Sequence, residues 1–193
     1  MKQYGMVIDL DACIGCHACS IACKFENGTE VGLDWHRVET VGDPNAKVGQ
    51  DIPAGVYPDL SMYWLPIPCM HCGNPPCMEV CPAAAISKGT EGIVLVDKEK
   101  CVGCKYCSWV CPYKVPQFGE DGTMQKCTLC AHRIAKGQEP ACVVACVYGA
   151  RVFGDVNDPH SEASKLIARK HGGVLLPEQR TNPAVYYVGS RRR

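Results

Sequence analysis

The chain has 193 residues, of which 47% are apolar and 16 are cysteine, and its 20 lysine and arginine residues balance 20 aspartate and glutamate residues. This size suits one or two small domains. Because the formal charge is zero and no cations and aromatic residues are spaced as in nucleic-acid-binding proteins, we do not expect nucleic acid as a partner. No apolar run approaches the roughly 18 residues of a membrane helix, and residues 1–10 lack the apolar core of a secretory signal, so we expect a soluble chain with no direct membrane span.

A short strand and the first of four cysteine runs open the chain. Residues 4–10 alternate enough in polarity to predict the strand. The first run consists of Cys13, Cys16, Cys19 and Cys23. In bacterial ferredoxins such a run serves two iron–sulfur clusters, because its fourth cysteine ligates a different cluster from the first three. Lys24 stands where the ferredoxin run has proline, which leaves the backbone freer beyond the run.

Residues 25–68 contain no cysteine and many glycine and proline residues. We predict short strands over residues 35–41 and 61–65 within this segment. Loops of such length are usually functional or ordered by a neighbour, so we expect the segment to hold partner proteins.

Three further runs fill the middle of the chain. The second run consists of Cys69, Cys72, Cys77 and Cys81, the third of Cys101, Cys104, Cys107 and Cys111, and the fourth of Cys127, Cys130, Cys142 and Cys146. Residues 83–88 and 93–96 predict a hairpin that joins the second run to the third, and residues 115–118 and 123–125 predict another after the third.

Two constant offsets indicate internal duplication. Residues 6–23 align with residues 94–111 at an offset of 88, and all four cysteines match. Residues 75–85 align with residues 140–150 at an offset of 65, after an insertion of seven residues in the fourth run, where eleven residues replace four between the second and third cysteines.

The last quarter of the chain changes character. Residues 150–156 predict a strand that pairs with residues 4–10. Asp158 as N-cap and Pro159 at the first position predict the start of a helix over residues 161–170.

Beyond that helix, residues 175–188 contain two prolines and predict an extended arm, which we expect to contact partner proteins. The three arginines 191–193 predict a solvated, frayed end, with contact to an acidic partner as the alternative.

The order of the runs predicts how the cysteines pair. One hairpin joins the second and third runs, so they form an inner unit, and the first and fourth runs close around it as an outer unit. Within each unit, the fourth cysteine of one run joins the first three cysteines of the other run, which gives four ligand sets. The sets are Cys13, Cys16, Cys19 and Cys146; Cys23, Cys127, Cys130 and Cys142; Cys69, Cys72, Cys77 and Cys111; and Cys81, Cys101, Cys104 and Cys107.

We therefore predict an α+β fold of two ferredoxin-like units, one inserted in the other, with short hairpins and loops, that binds four 4Fe–4S clusters. The outer unit comprises residues 1–60 and 119–157, the inner unit residues 61–118, and a C-terminal helix and extended arm residues 158–193.

Two alternatives use the cysteines differently. Disulfides suit secreted scaffolds of less than about 80 residues, and structural zinc sites pair two separated C-x2-C elements without needing three ligands in seven residues. The spacing favours iron–sulfur over both.

Other polar and aromatic residues near the runs receive weaker predictions. His71 and His132 are expected to support the sites by hydrogen bonding or packing, since sixteen thiolates already fill sixteen positions. A second group is expected to be solvated or to raise cluster potentials, namely Lys24, Lys105 and Lys114. Trp64 and Trp109 are expected to cover clusters or to belong to the core.

Several motifs together resemble a known family. They are Cys69-x-His71-Cys72-x4-Cys77 with Pro75 and Pro76; Ala22-Cys23-Lys24-x-Glu26-Asn27; Cys127-x2-Cys130-Ala131-His132-Arg133; Phe153-Gly154-Asp155 with Asp158 and Pro159; and Pro183-x-Val185-Tyr186-Tyr187. Over nearly its whole length the chain resembles the four-cluster electron-transfer (beta) subunits of the dimethyl sulfoxide reductase family of molybdenum and tungsten enzymes, above all those of polysulfide, thiosulfate, tetrathionate and arsenate reductases.

The resemblance implies a molybdopterin catalytic subunit as partner, often with a quinone-reactive integral membrane subunit. It implies that the outer unit's clusters lie nearer the catalytic subunit and the inner unit's nearer the quinol side. Membrane association would come through a partner, on the cytoplasmic or the periplasmic side. We expect a non-catalytic relay of single electrons, with a free polyferredoxin carrier or a hydrogenase-associated relay subunit as the alternatives.

Overall fold

The computed structural model describes residues 2–43, 45 and 50–189. The described strands are β1 Tyr4–Asp9, β2 Arg37–Val41, β3 Tyr63–Ile67, β4 Ile86–Lys88, β5 Val94–Val96, β6 Gln117–Phe118, β7 Met124–Gln125, β8 Arg151–Asp155 and β9 Val185–Val188. The described helices are α1 Ala18–Asn27, α2 Pro76–Glu79, α3 Tyr106–Val110, α4 Ala131–Ile134, α5 Ala141–Val144 and α6 Glu162–Arg169, with a 3-10 helix at Pro177–Gln179.

The largest sheet has three strands in the order β8-β1-β9. Strand β1 lies in the centre, antiparallel to β8 and parallel to β9. Its side chains alternate between two cores, because Met6 and Ile8 belong to the main core while Val7 packs under α6. The predicted pairing of the first strand with the strand after the fourth run is confirmed.

Strand β9 lies at the end of the region predicted as an extended arm; its residues are extended, and they pair with β1 within the sheet. The arm forms a 3-10 helix and then a strand that hydrogen-bonds to β1. Tyr187 of β9 is fully buried, and its hydroxyl donates to the carbonyl of Pro66 at 2.8 Å. The strand is thus part of the core, whereas the arginine tail at 191–193 lies outside the described residues.

Helix α6 covers the outer face of this sheet and starts later than predicted. Ser161 is its N-cap, since the side-chain oxygen accepts a hydrogen bond from the backbone N–H of Ser164 at 3.0 Å. The prediction of Asp158 as the cap is wrong, because Asp158 accepts instead from the backbone N–H of His160 within the turn before the helix.

Among the described residues, three antiparallel hairpins complete the sheets, namely β2-β3, β4-β5 and β6-β7. All three were predicted as strands, with boundaries that differ by a few residues. The hairpin β4-β5 joins the second cysteine run to the third, as expected.

The duplication is visible in the backbone. His17 and Lys105, 88 residues apart, are both left-handed, with φ of 59° and 65°, and each directly precedes a helix. Pro75 and Pro140, 65 residues apart, precede α2 and α5 in the same way. Helix α1 continues through Lys24 to Asn27, whereas α3 ends at Val110, since Pro112 cannot continue a helix.

None of the helices in the described ranges is long and apolar enough to traverse a lipid bilayer.

Candidate metal centres

Four cavities, each lined by four cysteines, are the main feature of the structure. Cavity 1 is lined by Cys13, Cys16, Cys19 and Cys146. Cavity 2 is lined by Cys23, Cys127, Cys130 and Cys142. Cavity 3 is lined by Cys69, Cys72, Cys77 and Cys111. Cavity 4 is lined by Cys81, Cys101, Cys104 and Cys107.

The structure thus brings together the same four groups of cysteines that the sequence predicted as ligand sets. All sixteen lie among the described residues and are free thiols, so the disulfide alternative is wrong for this structure. Each run contributes three cysteines to one cavity and one cysteine to a neighbouring cavity.

Local backbone geometry explains how one run reaches two cavities. In the first run, Gly15 turns the chain at a φ of 67°, and the helix that begins at Ala18 carries both Cys19 and Cys23. These cysteines are one helical turn apart, yet Cys19 lines cavity 1 and Cys23 lines cavity 2. The helix therefore forms a shared wall between the two cavities.

Several N–H groups donate to cysteine sulfurs. The backbone N–H of Ala85 lies 3.3 Å from Cys81 Sγ, that of Met124 lies 3.4 Å from Cys101 Sγ, and that of Leu129 lies 3.4 Å from Cys127 Sγ. The side-chain amide of Asn27 donates to Cys23 Sγ at 3.6 Å. Donors at these positions stabilise negative charge on sulfur, as a metal-bound thiolate requires.

Burial makes several thiols of the cavities hard to ionise without a metal. It raises the pKa of Cys23 and of Cys77 to about 12, and nearby cysteines add to both shifts. Burial likewise raises the pKa of Cys72, Cys107 and Cys142 to about 11. These thiols are protonated at neutral pH, so a metal that binds there must displace their protons.

The geometry fits a cofactor of several atoms better than a single ion. Around one zinc ion four sulfurs lie about 2.3 Å from the metal, so neighbouring sulfurs are less than about 4 Å apart. Within the described residues, no three His, Cys, Asp or Glu side chains form such a group. Four thiolates around one cavity, without the close packing that a single ion requires, match the donor set of a 4Fe–4S cluster.

The cavities lie in series. Cys19 of cavity 1 lies close enough to Cys23 and Cys142 of cavity 2 to raise their pKa values further, after burial. Cys69 of cavity 3 does the same to Cys127 of cavity 2.

Cavities 3 and 4 share two short helices. Helix α2 carries Cys77 of cavity 3 and Cys81 follows it into cavity 4, while α3 carries Cys107 of cavity 4 and Cys111 follows it into cavity 3. The four cysteines of cavity 2 are all buried, whereas Cys16 in cavity 1 and Cys104 in cavity 4 are exposed.

The cations predicted to act on the sites have mixed surroundings. Lys24 donates to the carbonyl of Leu33 at 2.6 Å and pairs with Asp34 at 3.1 Å, so its charge is satisfied away from the sulfurs. Lys105 lines cavity 4, and Lys114 is exposed.

Two buried cations near the cavities were not predicted from the sequence. Lys126 is 3% exposed, lines cavity 3 and donates to the carbonyls of Val94 and Cys127. Arg151 is 4% exposed and lines cavity 1. Lys126 could have been found from its place directly before Cys127, but nothing in the local pattern of Arg151 distinguishes it from a strand residue that faces solvent.

The two histidines support the structure near the sites. His71 is buried and accepts a hydrogen bond at Nδ1 from the backbone N–H of Val94 at 3.0 Å. His132 lies 2.7 Å from a carboxylate oxygen of Glu26, which Arg133 also pairs at 2.8 Å. Neither histidine lines any of the four cavities.

The two tryptophans differ. The indole ring of Trp64 packs on Gly15, which lines cavity 1, but Trp64 does not itself line that cavity. Trp109 is 76% exposed, and its ring lies 5.3 Å from that of Tyr106, so the alternative that it belongs to the core is wrong.

Comparison with known proteins agrees with this geometry. The model of the 4Fe–4S dicluster domain matches residues 60–156, and that of a 4Fe–4S binding domain matches residues 4–25. The chain is therefore an iron–sulfur protein of the ferredoxin type, with mixed helix and strand content, and its sixteen cysteines match four 4Fe–4S clusters.

Relatives extend over nearly the whole chain. A putative iron–sulfur subunit of dimethyl sulfoxide reductase from Halobacterium salinarum is 42% identical over 97% of this chain and 79% of its own length. The B subunit of tetrathionate reductase from Salmonella typhimurium is 40% identical over 97% and 72%, and the B component of polysulfide reductase from Wolinella succinogenes is 37% identical over 99% and 96%. This protein belongs to the family of iron–sulfur subunits of the dimethyl sulfoxide reductase type, which confirms the predicted resemblance.

Proposed function

We propose that this chain is the non-catalytic electron-transfer subunit of an oxidoreductase complex. It relays single electrons between a molybdopterin catalytic subunit and a quinone-reactive membrane subunit. The observation that carries the proposal is the series of four cysteine-lined cavities. The cysteines of cavity 2 are buried, whereas cavities 1 and 4, at the two ends of the series, each have an exposed cysteine, Cys16 and Cys104. A 4Fe–4S cluster, when bound, supplies a one-electron redox centre.

We assign the four cysteines of each cavity as the ligands of one cluster. The thiolates hold the iron, the apolar side chains beside them exclude water, and the N–H groups directed at sulfur stabilise its charge. This assignment uses every cysteine once, so no thiol is left as a nucleophile, and catalysis belongs to a separate subunit.

The helix contacts support the nested arrangement of the two units. Helix α1 of the first run packs against α5 of the fourth, and α2 of the second run packs against α3 of the third. In this arrangement the first and fourth runs form the outer unit around cavities 1 and 2, and the second and third runs form the inner unit around cavities 3 and 4.

The unit boundaries need adjustment, because both predicted limits of the inner unit cut hairpins. Strand β2 pairs with β3, and Val38 and Pro66 of this hairpin line cavity 1. Strand β6 pairs with β7, and Phe118 and Met124 of that hairpin line cavity 4. We therefore place residues 68–125 in the inner unit and the remainder, including the arm that ends in β9, in the outer unit.

Iron and sulfide analysis with low-temperature electron paramagnetic resonance tests the relay. The chain, purified anaerobically, is expected to contain four clusters of four irons each. Zinc in their place, or fewer than four clusters in a fully loaded chain, would refute the proposal.

Cysteine variants test the ligand assignment. Cys13→Ala and Cys146→Ala are expected to alter the same cluster signal, although these residues lie at opposite ends of the outer unit. Cys142→Ala is the matched control, since it lies in the same run as Cys146 but lines cavity 2. If Cys142→Ala and Cys146→Ala altered the same signal, the nested pairing would be wrong.

Affinity purification of the chain from its native host tests the partners. We expect a co-purifying subunit that contains molybdopterin, and a membrane fraction that retains the complex. Recovery of the chain alone would favour a free polyferredoxin, and a nickel-containing partner would favour a hydrogenase relay.

A further inference from the structure

Arg151 is a buried cation between cavities 1 and 2. Its Nη1 donates toward Met6 Sδ at 3.1 Å and lies 4.0 Å from Cys142 Sγ, which belongs to cavity 2. The arginine itself lines cavity 1. None of the ion pairs between described residues involves Arg151, so no carboxylate balances its charge.

The partner of Arg151 is a buried histidine in the wall of cavity 2. Nη2 of Arg151 lies 2.5 Å from Nε2 of His36, which is 2% exposed. A guanidinium group can only donate, so Nε2 accepts and the ring proton is on Nδ1. Among the described residues this Nδ1–H has no hydrogen-bond partner. A buried donor without a partner is unfavourable unless a ligand accepts from it, and sulfur in the adjacent cavity is such an acceptor.

The charge of Arg151 and the N–H donor of His36 both act on the negative charge of the loaded cavities. A buried cation is unfavourable unless an opposite charge lies close to it, and the thiolates of the loaded cavities supply that charge. Each electron that enters a neighbouring cluster makes it more negative, so a fixed cation and an N–H donor favour the reduced form. Both groups act without moving, because the buried sheet and the Arg151–His36 hydrogen bond hold them in place.

On the ligand assignment proposed above, we propose that Arg151 and His36 form a positioning and tuning pair that raises the reduction potentials of the clusters in cavities 1 and 2. Arg151 acts by its charge on both clusters and fixes the tautomer of His36. His36 acts on the cluster in cavity 2 through Nδ1–H.

A redox titration of the full chain, followed by electron paramagnetic resonance, tests the pair. The cysteine variants described above assign the signals to cavities, so that failure of the assignment is seen separately from failure of this inference. Arg151→Met is expected to lower the midpoint potentials of the clusters in cavities 1 and 2. At a fixed potential the ratio of reduced to oxidised cluster should fall at least tenfold, which corresponds to a shift of about 59 mV for one electron. The midpoints of cavities 3 and 4 are expected to stay in place.

Three further variants separate charge from structure. Arg151→Lys keeps the charge and is expected to shift the same midpoints by less than half as much as Arg151→Met. His36→Phe is expected to lower the midpoint of cavity 2 more than that of cavity 1. The control Arg169→Gln removes an exposed cation from α6 and is expected to shift none.

Iron content shows whether each variant is loaded. If Arg151→Met fails to hold four clusters, the midpoints of Arg151→Lys and His36→Phe decide the question. Unchanged midpoints in His36→Phe and Arg151→Met, equal shifts of all four clusters, or a shift in Arg169→Gln as large as that in Arg151→Met would overturn the inference.

Discussion

Gly15 offers a direct test of how the first cysteine run is built. It lies between Cys13 and Cys16 with φ of 67°, and a Cβ placed on it would overlap the indole ring of Trp64. Alanine at this position would meet two costs: about 1–2 kcal/mol for a left-handed backbone with a side chain, and about 1–3 kcal/mol for displacement of a packed ring. Together they lower the free energy of unfolding around cavity 1 by about 2–5 kcal/mol.

Gly28 provides the matched control. It ends α1 with φ of 56°, but a Cβ there would meet nothing within 4 Å. Gly28→Ala should therefore cost only the backbone component, about 1–2 kcal/mol. The difference of about 1–3 kcal/mol isolates the contact with Trp64.

The assay is the rate at which a chelator bleaches the visible absorption of the loaded chain. Bleaching that requires local opening follows the population of the open form, so a difference of about 1–3 kcal/mol predicts bleaching about 5–150-fold faster in Gly15→Ala than in Gly28→Ala. The cluster of cavity 1 should be the first to disappear from the resonance spectrum. Equal rates in the two variants, or first loss of a cluster from cavity 3 or 4, would show that Trp64 does not hold this loop.

Three other predictions concern the core, cavity 3 and the surface. Tyr187→Phe should lower the free energy of unfolding by about 0.5–1.5 kcal/mol, since it removes the hydrogen bond to Pro66, and Tyr187→Ala, which removes the buried ring, by about 3–5 kcal/mol. Chemical denaturation of the loaded chain measures both losses, and equal losses would contradict burial of the ring. Lys126→Met should lower the midpoint of the cluster in cavity 3 most, and a larger shift in cavity 1 would count against the position of this cation. The hydrogen bond from His132 and the charge of Arg133 lower the pKa of Glu26 below 4.5, so the ionised Glu26 stabilises the contact of α1 with α4 above that pH and loses this effect as the pH falls through the lowered pKa. Glu26→Gln should remove the resulting acid-dependent step in melting temperature. A step that persisted in this variant would exclude Glu26 as its source.

The grouping of the cysteines could be predicted because it depends on short distances along the chain. In the first and third runs, three cysteines within seven residues can only surround one centre, and one helical turn then places the fourth beside the next centre. Because the runs align at constant offsets, the same local geometry could be predicted for both copies. The left-handed backbone of His17 and of Lys105, at equivalent positions, shows that the structure repeats this geometry.

The missed features depend on contacts distant in sequence. Strand β9 follows two prolines and pairs in parallel with β1 at the other end of the chain, so no local turn signal announces it. Arg151 occupies a strand where a charged residue normally faces water, and its burial follows from the two cavities that meet beside it. The cap of α6 was misplaced because Asp158 and Ser161 are both good capping residues and the intervening turn decides between them.

The shared helix wall between cavities also limits how such a chain can change in length. Eleven residues separate Cys130 from Cys142, where the second run has four, and the extra residues fold outward as α4 and a turn. By contrast, three residues separate the third cysteine from the fourth in all four runs. A residue inserted at that point would rotate one thiolate by about 100° around the helix and disrupt two redox centres at once. We expect natural variation to collect between the second and third cysteines, while the last interval of each run tolerates substitutions but no insertions or deletions.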